Sequence, residues 1–185
     1  MTNARVEEAS DKMHKVVVHL QDQFGAVRTG RATPALLERI TVDYYGVQTP
    51  VNQVATVTAP DSRLLVVQPW DKRMIKEVER AILKSELGLT PSTDGNVIRL
   101  PIPALTEERR RELVKVVRKH AEEGRVAIRN IRRDHKEKLE QLEKGGKISE
   151  DDSRRAVDEL QKLTDRYIKE IESLLSAKEA EIMEV

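Results

Sequence analysis

TEERRRELVKVVRKHAEEGRVAIRNIRRDHKEKLEQLEK, residues 106–144, is the stretch that dictates how the remainder of the chain must fold. Thr106 can accept hydrogen bonds from the first free backbone N–H groups of a helix. Glu107 and Glu108 sit at the positive end of its dipole, and no proline follows. The stretch predicts a single uninterrupted helix. At roughly 1.5 Å per residue it is a rod on the order of 60 Å long, far beyond the usual three or four turns, so it needs partners along its length.

Its faces differ. Leu113, Val117, His120, Gly124, Ala127, Ile131, His135, Leu139 and Leu142 recur at steps of three and four and mark a seam for burial. Advancing about 100° per residue aligns Arg118, Arg125, Arg129, Arg132 and Lys136 on another line, with Arg111 on it and Arg133 beside it, directed away from the seam. A charged line can be no more than a solvated face. This one is nearly all arginine between 118 and 133, and most acids of the helix lie elsewhere, Glu122 excepted; the planar guanidinium fork suits phosphate. A phosphate-bearing partner is the sharper reading. Gly124 on the seam implies either close approach of a neighbouring helix or a hinge in the rod, and close approach is the more economical reading.

Outward from the rod, residues 4–28 carry Val6, Ala9, Met13, Val16, Leu20, Phe24 and Val27 at helical spacing. Gly145-Gly146 turns the chain after the rod, and Ser149 with Asp152 opens a third helix. That helix places Val157, Leu160, Thr164, Tyr167, Ile171, Leu174 and Lys178 on one line, and Leu163, Ile168, Leu175 and Ile182 on a second. None of these helices can bury its stripe alone, so the first must return to pack on the last two as a three-helix bundle.

Between residues 31 and 103 the period shortens to two. Ile40, Val42 and Tyr44 alternate with polar neighbours, Tyr45-Gly46 turns, Val54–Thr58 is β-branched, and Leu64–Val67 has the composition of a strand buried on both faces. Asp71 starts a short helix with Met74, Ile75, Val78, Ile82 and Leu83 on its apolar face, ended by Gly88. Asp94-Gly95 then leads into a last strand, Asn96–Leu100. The fold class is therefore α+β. An elongated bundle of residues 1–30 and 104–185 carries a small inserted β/α/β domain, residues 31–103. The two crossings, Thr29, Gly30 and Arg31 on one side and Pro103, Ala104 and Leu105 on the other, are short and paired, as a hinge would be.

Several functions are disfavoured. With 185 residues, 35% of them charged, and no apolar run near the length of a spanning helix, the composition is that of a soluble chain. MTNARVEEAS lacks the apolar core of a signal peptide, so cytoplasmic residence is expected. No cysteine is present, which removes thiolate chemistry and cysteine metal sites. His14 and His19 fall about 140° apart on a helix, too far for a shared metal. His120 and His135 lie on the seam as satisfied core histidines, and no catalytic motif stands out. No enzyme, metal or cofactor is called for.

Net charge is only +1, but residues 106–144 hold 13 Lys and Arg against 9 Asp and Glu, whereas 145–185 hold 7 against 11, so the opposite signs either face each other or face different partners. The arginine stripe contains no aromatic ring. Recognition of phosphate and shape on folded RNA is expected rather than base stacking on rings. Of the adjacent Tyr44 and Tyr45, alternation predicts one in the core and the other as a surface or hinge contact, and Trp70 is expected as a core plug. A helical adaptor binding a protein through its acidic third helix is the competing reading; such an adaptor has no need of the arginine line.

The chain also resembles a known family, the bacterial ribosome recycling factors, through RTGRA at 28–32, VDYYG at 42–46, TPVNQVATVTAPDSR at 49–63, ELGLTPS at 86–92, LTEERR at 105–110 and GRVAIRNIRRD at 124–134. The resemblance implies an L-shaped pair of domains, monomeric, with no membrane role. It implies action after termination with elongation factor G and GTP, the nucleotide bound by that partner. The ribosome would be split so that mRNA and deacylated tRNA leave. It also implies large-subunit rRNA contacts through Arg129, Arg132 and Arg133, and matches Arg28, Gly30 and Arg31 to the bundle tip and hinge. With Arg118, Arg125 and Lys136 from the stripe, Arg28 and Arg31 complete the expected rRNA-binding set.

Overall fold

The structure, a computed structural model, describes residues 1–184. In chain order its elements are α1 (Thr2–Ala26), β1 (Thr41–Tyr44), β2 (Val47–Pro50), β3 (Ala55–Asp61), β4 (Leu64–Pro69), α2 (Ile75–Lys84), β5 (Ser92–Asp94), β6 (Val97–Pro101), α3 (Glu107–Lys144) and α4 (Glu150–Met183). They fall into two compact units, Met1–Thr29 with Thr106–Val185, and Gly30–Leu105. Gly30, Ala104 and Leu105 thus group with the small unit rather than the bundle. Gly30 has φ +72°, and a Cβ there would stand 3.3 Å from Leu105 Cγ, so the two ends of the small unit touch where only glycine fits.

In the bundle, α1 packs on both α3 and α4, and α3 on α4. The long helix starts where its cap chemistry says: Thr106 Oγ1 accepts from Arg109 N at 3.1 Å, and Ser149 Oγ accepts from Asp152 N at 3.1 Å to begin α4. Ala9, Met13, Val17, Leu20 and Phe24 of α1 are buried against Leu113, Val117, Ala121, Gly124, Ile128, His135 and Leu139 of α3 and Ala156, Leu160, Thr164, Tyr167, Ile171 and Ile182 of α4. The seam of α3 therefore runs through Ala121 and Ile128, while His120, Ala127 and Ile131 are only half-buried at its margin. At Gly124 side chains of both neighbouring helices come close: a Cβ there would meet Ile171 Cδ1 at 3.3 Å and Leu20 Cδ2 at 3.8 Å. Its role is packing of three helices.

The small unit is a β1–β2 hairpin beside a four-stranded antiparallel sheet of order β3-β4-β6-β5, with α2 packed on it. Leu65 and Val67 of β4, Ile98 and Leu100 of β6, and Val78 and Ile82 of α2 are buried together with Leu37. Leu64 and Val66 are half-buried, so β4 has one covered face rather than two. Leu83 is 58% exposed, about 100° around α2 from the line of Ile75, Val78 and Ile82 that is buried.

The aromatic expectations need correction. Tyr45 does not continue the strand: it takes φ 51° and Gly46 φ 86°, the left-handed pair of a two-residue hairpin turn, so strand alternation does not reach it. Tyr44 and Tyr45 are both exposed, in edge-to-face contact at 4.7 Å between centroids. Trp70 is 68% exposed, its Nε1 donating to Thr56 Oγ1 at 2.9 Å, and Tyr45 donates its hydroxyl to Asp71 Oδ2 at 3.1 Å. Trp70 stands just past the end of β4, against β3, and Tyr45 in the hairpin turn, and neither position has a covering layer to bury its ring. Among the described residues no helix is long and apolar enough to cross a membrane.

Candidate nucleic-acid interface

The arginine stripe of α3 does not point away from the packing seam; it follows the edge of α3 that faces α4. Arg125 is only 17% exposed, and Arg132 is half-buried. The cause is the antiparallel neighbour. Glu172 and Glu179, seven residues apart on one line of α4, meet Arg125 and Arg118, which are seven apart on α3.

These contacts divide the stripe. Arg118 Nε donates to Glu179 Oε1 at 2.5 Å, and that hydrogen bond holds the guanidinium pKa above its usual value. Burial of Arg125 opposes its charge, but hydrogen bonds to Glu122 at 2.7 Å and Glu172 at 2.5 Å outweigh it, and its pKa also stands above the ordinary value. Arg111 pairs with Glu107, Arg129 Nη1 lies 3.8 Å from Glu122, and Lys136 lies 3.7 Å from Glu140. Arg132 and Arg133 differ. Arg132 Nη1 donates to Gln161 Oε1 at 2.6 Å, and Arg133 Nη2 donates to Asn130 Oδ1 at 3.3 Å, both neutral amides. Among the described residues neither has a carboxylate partner, so the uncompensated positive charge of the stripe is concentrated at these two positions.

Gln161 carries a second bond, donating Nε2 to Asp165 Oδ1 at 2.9 Å. The amide holds Arg132 in place while keeping the carboxylate one group away, so the guanidinium keeps its free charge and loses part of its conformational freedom. Nothing local in the sequence around Arg132 marks Gln161, which lies 29 residues away. The acidic pair on α4 has a legible signal in its seven-residue spacing, once an antiparallel partner is assumed.

The expected set does not form one patch. Arg28 is exposed beyond the end of α1, beside Thr29, whose Oγ1 donates to Glu181 Oε1 at 2.8 Å. Because Glu179 faces Arg118, that end of the bundle is roughly 20–25 Å from Arg132 along α3. Arg31 is exposed and belongs to the other unit. His135 is buried as expected, but among the described residues neither ring nitrogen has a hydrogen-bond partner; His120 Nδ1 stands 3.5 Å from Glu123. Among the described residues no group of three or more His, Cys, Asp or Glu could hold a metal ion.

A family model for "Ribosome recycling factor" matches residues 20–183. The chain is 61% identical over 185 residues to the ribosome-recycling factor of Pelotomaculum thermopropionicum, covering 100% of both chains. It resembles a solution structure of the ribosome recycling factor with a TM-score of 0.71 and 47% identity, covering 100% of this chain and 98% of that one. A second likeness, with a TM-score of 0.61, 49% identity and 100% coverage of both chains, is to models for the T. thermophilus ribosome recycling factor and the E. coli elongation factor G bound to the E. coli post-termination complex.

Proposed function

The chain belongs to the ribosome recycling factor family, and from that premise we propose that it binds large-subunit rRNA through the middle of α3, with Arg132 and Arg133 as the principal phosphate contacts. The observation that carries this reading is their lack of carboxylate partners beside neighbours that have them. A phosphate arriving at Arg118 or Arg125 meets a charge already compensated by a carboxylate and is repelled by that carboxylate, whereas at Arg132 it meets a guanidinium bonded only to a neutral amide. Arg129 and Lys136, with acids at 3.8 and 3.7 Å, flank that centre as exchangeable exposed pairs.

The protein acts after termination with elongation factor G, which holds the GTP, and separates the ribosomal subunits so that mRNA and deacylated tRNA leave. The likeness to a relative described together with elongation factor G on a post-termination complex supports that partnership. Thr29, Gly30 and Arg31 with Pro103, Ala104 and Leu105 serve as the hinge that lets one unit be pushed while the other stays on RNA. The chain works as a monomer and supplies no catalytic group.

The test is ribosome affinity at several salt concentrations for the parent, Arg132→Ala, Arg132→Lys and Arg154→Ala, each checked by circular dichroism. Arg132→Ala should weaken binding most and lower the slope of log affinity against log salt by roughly one. Lysine at 132 should restore the slope but only part of the affinity, because a point charge lacks the bidentate fork. Equal affinity and slope across the folded set would overturn the reading. In sedimentation, ribosomes should convert to subunits only with the protein, elongation factor G and GTP together; conversion without the protein, or none with all three, would overturn the recycling role.

A further inference from the structure

Beside Arg132 the surface is not flat. A groove of about 500 Å³ opens between α3 and α4, within the roughly 300–1,000 Å³ of small-ligand clefts. Val126, Val157 and Leu160 form its apolar part, and Asn130, Arg132 and Arg133 stand on its rim. Val126 is 45% exposed although cations surround it.

A row of phosphates has no use for an apolar floor; charges alone would bind it. A nucleobase does have a use for it. Its flat face can rest on methyl groups and against a guanidinium plane while its edge meets an amide. The rim carries those parts: Arg132 is pinned by Gln161, and Asn130, whose Oδ1 accepts from Arg133, keeps its amide N–H groups unengaged among the described residues.

We propose that this groove receives one unstacked nucleotide of the rRNA, its base on the Val126 and Val157 floor and its phosphate on Arg132 and Arg133. The proposal rests on the RNA-binding reading of the stripe and deepens it: the site recognises an extruded base as well as backbone charge. Asn130 then supplies a donor to an acceptor on the base edge, giving the contact a preference that a phosphate clamp lacks.

The experiment separates the two layers. Val126→Phe fills the groove without altering charge, Val126→Thr makes its floor polar at constant shape, and Val116→Phe enlarges another exposed valine of α3 outside the groove. Ribosome affinity is measured at several salt concentrations, and base-edge methylation of the rRNA is mapped with each variant bound. The parent should protect one base that neither Val126 variant protects. Val126→Phe should lose about tenfold in affinity at an unchanged salt slope, since no phosphate contact is removed, and Val116→Phe should match the parent. Parental affinity and protection with Val126→Phe, or no base protected by the parent, would overturn the groove proposal while a weakened Arg132→Ala still upheld the RNA reading. Unweakened binding by Arg132→Ala would overturn the RNA reading itself.

Discussion

His135 is buried in the bundle, and among the described residues neither ring nitrogen has a hydrogen bond. Desolvation pushes its pKa below the ordinary 6.5; Lys138, Lys12 and Arg5 push the same way, and Glu8 opposes them. The unfolded chain therefore takes up a proton near the ordinary value while the folded chain stays neutral. Stability is at its full value above that pH and falls as pH drops from it toward the folded pKa. The denaturation midpoint of the parent should thus fall between about pH 7.5 and about pH 5.5, and His135→Leu should fall less. At the higher pH the leucine variant should be more stable by on the order of 1 kcal/mol, since an unpartnered buried polar group is replaced by an apolar one. An undiminished pH dependence in His135→Leu would place the proton uptake on another group. Helical spacing is enough to put His135 on the seam. Whether its nitrogens find partners depends on which atoms α1 brings opposite it, and no local pattern carries that.

At the scale of the element, the ends of α3 and α4 are written in a few adjacent residues, because a cap hydroxyl and the N–H it accepts from are three residues apart. The centre of the buried face is less local. A strict seven-residue line through Leu113, Val117, His120, Gly124, Ala127 and Ile131 drifts by about 20° per heptad on a straight helix. The structure follows the straighter period, through Ala121 and Ile128, because α1 and α4 together cover that wedge. Ile128→Ala should accordingly cost about 2–5 kcal/mol of stability, as for a fully buried large-to-small change, and Ile131→Ala distinctly less. Chemical denaturation of the two variants checks this; equal losses would mean that the seam is centred between them.

For the whole molecule, the hinge proposal concerns two short crossings between separately packed units. Within the small unit, Ala32 N donates to Ser62 O and Ile102 N to Arg63 O, both at 2.7 Å, so one turn holds the incoming and outgoing chain together. Within the bundle, Thr29 is held by Glu181. On the hinge proposal flexing is confined to the few residues between these anchors, and spin labels on the two units of the free protein should give a broad distance distribution that narrows on the ribosome. One narrow distance, unchanged by ribosomes, would count against a hinge. By itself the sequence determined the helices, their caps, the need for a bundle around an inserted β-rich unit, and the motifs that carry the family resemblance, because each rests on residues close together in the chain. Only the tertiary structure decided which arginines keep a free charge, since Glu172, Glu179 and Gln161 reach the stripe from another helix. It also decided that Trp70 and Tyr45 are exposed, because burial is set by what covers a side chain, and that cover is brought from elsewhere in the fold.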